Sequence, residues 1–439
     1  MRRLDLRGRK LSVKDVTELL PRAVNDIETS LKSVLPIIDQ VRDLGESALV
    51  ELAQRFDEID PRPIRVGQEE LDRALAELAA PLREAIETAI TRVRLVAETN
   101  MPKDTSVTLG TGAMVQQRWS PVDSVGLYVP GGKAVYPSSV IMNVVPAQVA
   151  GVKRLAVVTP GQKAFAGRPH PTVLATAALL GVTEVYAIGG PAAIAALAYG
   201  VDSIGLEPVV LVTGPGNNLV TAAKRALRGV IGIDSEAGAT EIMVIADAGA
   251  NPKFVAADLI SQAEHDESAA SILVTDSEEL LESVAEELSQ LLPRAHHLPR
   301  IETAFDGQQS ALVLVDDLAQ ATLVANAYAS EHLEIQVEDP KALAAEISNA
   351  GAIFLGPFAP VSLGDYMAGS NHVLPTSQQA KFGSGLGVHS FLRAVQVIDY
   401  SEPALAEIAE RIRLFADEEG LPSHGDAVQI RVATRRHAE

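Results

Sequence analysis

The sequence predicts an α/β protein with two parallel-sheet domains, and three observations support this fold class. The chain has 439 residues, more than one hydrophobic core usually serves, and 47% of them are hydrophobic. Aromatic residues make up only 4%, so aliphatic side chains dominate, as is typical of helices packed on parallel strands. Short β-branched segments alternate with alanine-rich helical segments along much of the chain, and repeated β-α alternation indicates parallel sheets.

The first elements along the chain are helices. Between residues 14 and 99, apolar residues recur at intervals of three and four, which predicts a helical amino-terminal segment. A first β-α series follows Trp119, with strands predicted at 123–129, 154–158, 184–188, 209–213 and 242–246. The helices between these strands are predicted at 138–150, 171–181, 191–199 and 217–227.

A second β-α series follows the first. Its strands are predicted at 271–275, 311–315, 333–337 and 352–355. Its helices are predicted at 252–264, 317–330 and 341–349. From about residue 385 the pattern returns to helix, around 403–416, and the chain ends in a charged tail that begins at Arg435.

Composition excludes several classes of function. Lys and Arg total 37 against 57 Asp and Glu, and the net charge of -20 repels phosphate backbones and anionic lipid, so we expect no nucleic-acid partner. The chain has no cysteine, so any metal site must use nitrogen and oxygen ligands. No signal-peptide pattern follows Met1, and no apolar segment is long enough to cross a bilayer. We therefore expect a cytoplasmic protein with no membrane partner.

Four scattered polar clusters carry the residues suited to chemistry. They are Gln262-Ala-Glu-His265-Asp, Ser-Glu331-His332-Leu, Gly364-Asp365-Tyr-Met-Ala-Gly-Ser-Asn-His372 and Leu421-Pro-Ser-His424-Gly. Imidazoles and carboxylates brought together from distant segments can bind a metal and move protons at neutral pH. The clusters therefore indicate an enzyme.

Two of these clusters lie at predicted element ends. Gln262 and His265 are three residues apart on one face of a helix, where a histidine is more often a capping or surface residue than a ligand. Glu331 and His332 lie at a helix-to-strand junction, from which side chains can reach a cleft. Spacing alone leaves both the structural and the catalytic interpretation open.

The other candidates lie in predicted turns and loops. Asp365 follows the strand ending near 355 and precedes a segment rich in turn formers, so on spacing it is a turn-capping aspartate. His424 is predicted in a loop, where it would be a solvated surface histidine. Glu419 is predicted at a helix end, where it would be a solvated acid.

In their order and flanking residues, the clusters closely resemble those of the histidinol dehydrogenase family, along nearly the whole chain. That family comprises zinc-dependent, NAD-linked enzymes that oxidise L-histidinol to L-histidine in two steps. The resemblance implies that His332 is the proton-transfer base and that Glu331 activates water. It also implies one Zn²⁺ per subunit, bound by Gln262, His265, Asp365 and His424.

The same resemblance implies residues that bind the substrate and NAD⁺. The implied substrate contacts are Thr240, Gln262, His265, His332, Asp365, His372, Glu419 and His424. The implied cofactor positions are Tyr128, Ala192 and Asn217. The chain has no G-x-G-x-x-G, and its nearest equivalent is Gly214-Pro-Gly216 at the start of a predicted helix.

Two positions depart from the family pattern. Ala192 replaces a glutamine that contacts NAD, and loss of one neutral hydrogen bond is worth ~0.5–1.5 kcal/mol, so we expect NAD⁺ binding to be several-fold weaker. Ala239 replaces a proline, and a more flexible loop before Thr240 is the expected consequence.

The resemblance further implies an architecture of two incomplete Rossmann-like α/β domains and a homodimer. Residues 1–30 would form an amino-terminal arm, 31–120 with 240–384 a first α/β domain holding the zinc and catalytic residues, and 121–239 a second, NAD-binding domain. Residues 385–439 would form a tail domain that contributes His424 and Glu419 to the partner's site.

The sequence leaves three alternative functions open. A paralogue in the same family could oxidise a different amino alcohol or a sulfonated alcohol, as Ala192 and Ala239 suggest. A zinc hydrolase could use Glu331 to activate water, although it would not explain a nucleotide-binding α/β domain. A purely binding or structural role would make the four polar clusters incidental.

Overall fold

The computed structural model describes residues 1–23, 27–131 and 134–433. Contacts divide the chain into two units: Met1–Thr99 with Asp123–Phe391, and Asn100–Val122 with Leu392–Glu439. The charged tail from Arg435 lies outside the described residues. In the part of the chain that is described, no helix is long and apolar enough to span a membrane.

The amino-terminal part of the chain is largely helical, as predicted. Its elements are β1 (Arg2–Asp5), α1 (Val13–Leu19), α2 (Ile27–Leu44), α3 (Glu46–Phe56), α4 (Gln68–Glu77) and α5 (Ala80–Thr99), followed by β2 (Thr105–Gly110) and β3 (Ala113–Pro121). A capping box starts α1, because Ser12 and Asp15 each accept the backbone N–H of the other. On α2, Val34, Ile38 and Val41 are spaced by four and three residues and pack into the core of the first sheet.

A five-stranded parallel sheet forms the first β-α series. Its strands are β4 (Ser124–Tyr128), β5 (Arg154–Thr159), β6 (Glu184–Ala187), β7 (Leu211–Thr213) and β8 (Gly232–Ile233). Its helices are α6 (Pro137–Ala150), α7 (Pro171–Leu179), α8 (Gly190–Tyr199) and α9 (Asn218–Leu227). The strand order is β6-β5-β4-β7-β8, so the order reverses between β4 and β7. Ligands bind beyond the carboxyl ends of parallel strands at such a reversal.

A six-stranded parallel sheet forms the second series. Its strands besides β1 are β9 (Glu241–Ala246), β10 (Ala270–Thr275), β11 (Ala311–Leu314), β12 (His332–Gln336) and β13 (Ala352–Leu355). Its helices are α10 (Pro252–Ala263), α11 (Glu278–Leu291), α12 (Leu298–Asp306), α13 (Leu318–Tyr328), α14 (Pro340–Ala345) and α15 (Val361–Tyr366). The order β1-β11-β10-β9-β12-β13 repeats that of the first sheet, with β9 and β12 in the places of β4 and β7 and with β1 added at one edge.

The second unit is built on an antiparallel sheet that the sequence analysis did not predict. It contains β14 (Leu392–Tyr400), α16 (Glu402–Glu418) and α17 (Pro422–Ala433) in addition to β2 and β3. β14 pairs with β3 along its whole length, which groups residues 100–122 with the carboxyl-terminal segment, whereas the sequence boundaries placed residues up to 120 in the first α/β domain.

The two parallel α/β sheets confirm the predicted fold class, and the predicted strands and helices of both series lie close to the observed ones. The strand predicted at 242–246, at the end of the first series, instead belongs to the second sheet as β9, and the structure adds α11 and α12 between β10 and β11. The loop predicted at His424 is wrong, because Pro422 starts α17 and places His424 in its first turn. Asp365 lies within the short helix α15, after β13.

Candidate active site

Two neighbouring strands begin with the residues that the sequence singled out. β9 and β12 pair in parallel, with His332 opposite Ile242. Thr240 and Glu331 immediately precede these strands, so both lie at the amino edge of the six-stranded sheet. The parallel register therefore brings together residues 91 positions apart in the sequence.

Glu331 is a buried carboxyl group held by two donors. Its Oε2 accepts a hydrogen bond from the Thr240 hydroxyl at 2.5 Å and from the Glu241 backbone N–H at 2.9 Å. Burial raises the pKa of Glu331 to about 7, while both hydrogen bonds and the nearby His265 act in the opposite direction. A carboxyl with this pKa can accept a proton near neutral pH.

His332 is held as a neutral base with a defined tautomer. Its Nδ1 lies 3.1 Å from the carbonyl oxygen of Glu241, and a carbonyl can only accept, so Nδ1 carries the proton and Nε2 is the basic atom. Burial lowers the pKa of His332, which favours the neutral imidazole. The His332 Nδ1 lies 3.6 Å from the Glu331 carboxyl, so two proton acceptors of different type share this site.

Gln262 joins this group through Thr240. Its amide Nε2 donates to the Thr240 hydroxyl at 2.6 Å, and that hydroxyl in turn donates to Glu331. Because the amide nitrogen is used as a donor, the carbonyl Oε1 is the atom that Gln262 can offer to a cation. His265 follows the carboxyl end of α10, where its ring stacks against that of Tyr136 with centroids 6.3 Å apart.

Asp365 and His372 lie beside the same group. The His372 Nδ1 donates to the Asp365 backbone carbonyl at 3.1 Å, which leaves Nε2 to accept from the Ser139 hydroxyl at 3.3 Å. Burial raises the pKa of Asp365 to about 6, opposed by His332. Burial also lowers the pKa of His372 to about 4, and the nearby His332 adds to that shift. The larger unit thus places seven of the predicted site residues together: Thr240, Gln262, His265, Glu331, His332, Asp365 and His372.

A buried carboxyl pair lies one step behind the site. Glu334, two residues after His332, hydrogen-bonds Asp258 of α10. Gln336 Nε2 donates to both carboxyls, at 3.0 and 3.1 Å. The backbone N–H of Val361, the first residue of α15, donates to Glu334 at 2.9 Å. The pair therefore joins the helices that carry Gln262 and Asp365 to the strand that carries His332.

This pair gives a prediction for stability against pH. Burial raises the pKa of Asp258 and of Glu334 above their ordinary 3.8 and 4.5. The pair binds more protons when folded, so its contribution is complete below those ordinary values and is lost as the pH rises through the higher folded pKa values. We expect the free energy of unfolding to decline above about pH 4.5, by at most about 1.4 kcal/mol per pH unit for one proton, and Glu334→Gln to flatten that decline.

Urea unfolding at a series of pH values measures this effect. The exposed Glu338, just after the same strand, supplies the matched control Glu338→Gln. Equal pH slopes for Glu334→Gln and the control would contradict the prediction.

Glu419 and His424 lie in the second unit. Glu419 directly follows α16 as its C-cap residue, His424 lies in the first turn of α17, and both are exposed. Among the described residues, no three His, Cys, Asp or Glu side chains lie together as a ready metal site. Two of the expected ligands in the larger unit, His265 and Asp365, are of these residue types. The third, Gln262, is an amide.

The expected cofactor residues lie at the carboxyl edge of the five-stranded sheet, where the strand order reverses. Tyr128 ends β4, and its buried phenol oxygen accepts the backbone N–H of Gly190 at the start of α8. Ala192 is the third residue of that helix. Asn217 caps α9, with its Oδ1 accepting the N–H groups of Leu219 and Val220.

A buried ion pair positions the loop before Asn217. Lys224 Nζ lies 2.6 Å from Asp234 and donates to the Gly214 carbonyl, while the Gly214 N–H donates to Asp234 at 2.8 Å. Gly214 has φ +117°, and a Cβ there would lie 2.0 Å from the Tyr128 carbonyl oxygen, so only glycine fits. The glycine therefore allows the loop to pack closely against the end of β4, and the ion pair holds the loop that leads to Asn217.

Two contacts were missed by the sequence analysis. Ser139 and Tyr136, at the start of α6, reach His372 and His265. The signal available was the Tyr136-Pro-Ser-Ser139 helix start, which follows the strand ending at Tyr128. Nothing in local spacing, however, relates that turn to histidines more than 100 residues away.

Comparisons with known proteins show which family the chain resembles along its length. The family model described as histidinol dehydrogenase matches residues 20–432. A histidinol dehydrogenase of Leifsonia xyli subsp. xyli is 54% identical over 435 residues, covering 99% of this chain and 100% of that protein. One from Nocardia farcinica is 53% identical, covering 98% and 97%. The crystal structure of histidinol dehydrogenase from Elizabethkingia anophelis superimposes with a TM-score of 0.93 at 31% identity, covering 99% of both chains.

Proposed function

Because the chain belongs to the histidinol dehydrogenase family and is an oxidoreductase, we propose that it converts L-histidinol through L-histidinaldehyde to L-histidine, with zinc and two NAD⁺ used in succession. The observation that carries the proposal is the pair Glu331 and His332 at the amino edge of the second sheet. Two oxidations need two kinds of proton transfer, and these residues are two proton acceptors in different environments.

The first oxidation removes a hydroxyl proton from the alcohol. His332 Nε2 is the basic atom, and the Nδ1 bond to Glu241 holds the ring in place while Nε2 accepts the proton. Bound NAD⁺ would supply the acceptor for the hydride that leaves the carbinol carbon.

The second oxidation adds water to the aldehyde. The carboxyl of Glu331 accepts the proton of that water, and its pKa of about 7 allows it to be ionised at neutral pH. Thr240 and the Glu241 N–H fix Oε2, which leaves Oε1 as the atom to accept the proton. A second molecule of NAD⁺ is required because each oxidation releases one hydride.

The donor atoms fit zinc without cysteine. Gln262 Oε1, a His265 nitrogen and the Asp365 carboxylate would bind it in one chain, with His424 from a second chain. Bound zinc would anchor the imidazole and amino nitrogens of histidinol and act as a Lewis acid. The hydrogen bond from the Gln262 amide to Thr240 supports this assignment, because it engages the nitrogen and leaves the carbonyl Oε1, the atom that can bind a cation, unused by Thr240.

Exposed apolar residues in the second unit support a homodimer. Leu414 and Phe415 on α16 are 63% and 73% exposed, and Val107, Leu109 and Ile398 on the antiparallel sheet are also exposed. Exposed apolar patches mark sites of protein contact. Glu419 caps the carboxyl end of α16 and His424 lies on α17, and both are exposed, as residues donated to the site of a partner would be.

Ala192 offers a direct test of the proposed cofactor site. Restoring glutamine by Ala192→Gln should lower the KM for NAD⁺ about 2- to 13-fold, because one hydrogen bond is worth ~0.5–1.5 kcal/mol. Initial rates with varied NAD⁺ measure this, and the KM for L-histidinol is the internal control. An unchanged or higher KM for NAD⁺ would remove Ala192 from the site.

The number of NADH formed per L-histidinol, with zinc supplied and substrate limiting, tests the whole proposal. Two NADH would establish the four-electron oxidation. One NADH would mean that oxidation stops at the aldehyde. None would favour the paralogue that oxidises another amino alcohol or a sulfonated alcohol, whereas family membership already argues against a zinc hydrolase.

A further inference from the structure

Arg22 reaches from the amino-terminal region to the residues behind the catalytic pair. Its Nε lies 2.5 Å from the Glu241 carboxylate, and its Nη2 donates to the backbone carbonyls of Tyr328 and Ala329. The guanidinium carbon also lies 3.9 Å from the centroid of the Tyr328 ring. The side chains of Arg22 and Glu241 are only 15% and 3% exposed.

Both ends of this contact adjoin the catalytic pair. The backbone of Glu241 donates to Glu331 through its N–H and accepts from His332 through its carbonyl. The Arg22 side chain therefore binds Glu241, whose main chain orients both proton acceptors. A displacement of Glu241 would move Glu331 and His332 together.

The second end of the contact is a strained turn. Ala329 has φ +54°, a left-handed conformation that is unfavourable for a residue with a Cβ. The turn lies between α13 and Glu331, and it directs the chain into β12. Arg22 donates to the backbone carbonyl of Tyr328, which precedes this residue, and to the carbonyl of Ala329 itself.

Arginine is suited to this arrangement and lysine is not. A planar guanidinium can bond a carboxylate, two carbonyls and an aromatic face at once, whereas an ammonium is a compact charge without that fork. A buried ion pair is by itself weak support for stability, because desolvation offsets much of the attraction. The position of the contact is therefore more informative than its charge. Arg22 contacts both Glu241 and the turn at Ala329, which adjoin the catalytic pair.

We propose that Arg22 is a positioning residue that holds Glu331 and His332 in their reacting geometry through Glu241 and the turn at Ala329. The inference rests on the proposed function, since it assigns Arg22 a role through the proposed proton acceptors. A misplacement of about 1 Å can cost about 10²-fold in rate, so the expected effect lies mainly on kcat.

The test compares Arg22→Met and Arg22→Lys with Arg3→Met in the full-length, zinc-supplied protein. Arg3 also lies near the amino terminus, but its ion pair with Glu282 is exposed, so it is the matched control. We expect Arg22→Met to lower kcat about 10- to 100-fold for both alcohol and aldehyde, with the KM for NAD⁺ within twofold. Arg22→Lys should give an intermediate loss, and Arg3→Met should retain full kcat.

A second measurement distinguishes the positioning role from a merely structural one. If Arg22 acts through Glu331, adding Arg22→Met to Glu331→Gln should reduce aldehyde oxidation by much less than it does in the unmodified protein. Equal fold-losses in both backgrounds, or a kcat for Arg22→Lys equal to that of Arg3→Met, would overturn the proposal. If Arg22→Met does not fold, as judged by circular dichroism, Arg22→Lys decides the outcome.

Failure of the proposed function has a different signature. If Glu331→Gln retained full activity, or if no NADH formed from histidinol, the assignment of the proton acceptors would fail regardless of Arg22. If Glu331→Gln is impaired and both Arg22 variants match Arg3→Met in kcat, only the positioning role fails.

Discussion

Replacing Glu331 by glutamine should lower the rate of histidinaldehyde oxidation by about 10²- to 10⁴-fold, while alcohol oxidation falls much less. Glutamine keeps the shape and the two accepted hydrogen bonds of Glu331 but cannot take a proton from water. In the proposed mechanism the alcohol step uses the base at His332 Nε2, which this change leaves in place. Single-turnover rates of NADH formation, started separately from histidinol and from histidinaldehyde, measure the two steps.

The exposed Glu338, at the opposite end of β12, provides the matched control Glu338→Gln, for which we expect unchanged rates. The complementary variant His332→Gln should impair alcohol oxidation. Equal losses of alcohol and aldehyde oxidation in Glu331→Gln would show that the proposed division of labour is wrong.

Removal of zinc should abolish turnover, and His265→Asn should weaken zinc binding by more than 100-fold. Changes to groups that merely orient metal ligands cost 10- to 100-fold in affinity or activity, so the loss of a ligand should exceed that range. The proposed ligands in the larger unit are one histidine, one carboxylate and one amide oxygen, and the set has no cysteine to compensate. Competition with a chromophoric chelator measures zinc affinity independently of activity.

His296 is exposed and lies outside the predicted site, so His296→Asn is the matched control. Zinc content and affinity should stay unchanged in this variant. Activity that survives complete removal of zinc, or equal zinc affinity in the two variants, would contradict the ligand assignment.

The fold was largely predictable because its signals are local. β-branched runs between helical segments predicted both parallel sheets, since each buried strand is apolar along its own length. The antiparallel sheet was not predicted, because β2 is exposed throughout and β14 pairs with a strand almost 300 residues earlier. The sequence predicts a loop at His424, whereas the structure has a helix there, because Pro422 occupies the first position of α17, where proline is well tolerated.

The site was predictable only in part. The polar clusters nominated Glu331 and His332 as candidates, and the family resemblance supplied their roles. The bond between Gln262 and Thr240, which fixes the amide orientation, depends on packing of α10 against the sheet and has no sequence pattern. The sequence did not indicate Arg22 either, because it lies 219 positions from Glu241 and no local pattern relates the two residues.

The shared strand order of the two sheets bears on how many nucleotides one chain can hold. At the carboxyl end of the first sheet, the carboxylate that accepts the Gly214 N–H is that of Asp234, and its charge is paired with Lys224 at 2.6 Å. At the equivalent end of the second sheet, Asp247 follows β9, and its carboxylate accepts the N–H groups of Gly249 and Glu338. An incoming phosphate would there meet a negative charge already bonded to the available amides. The first sheet is therefore the one proposed to hold a dinucleotide, and we expect the spent cofactor to leave before a fresh one enters, with the aldehyde retained during the exchange.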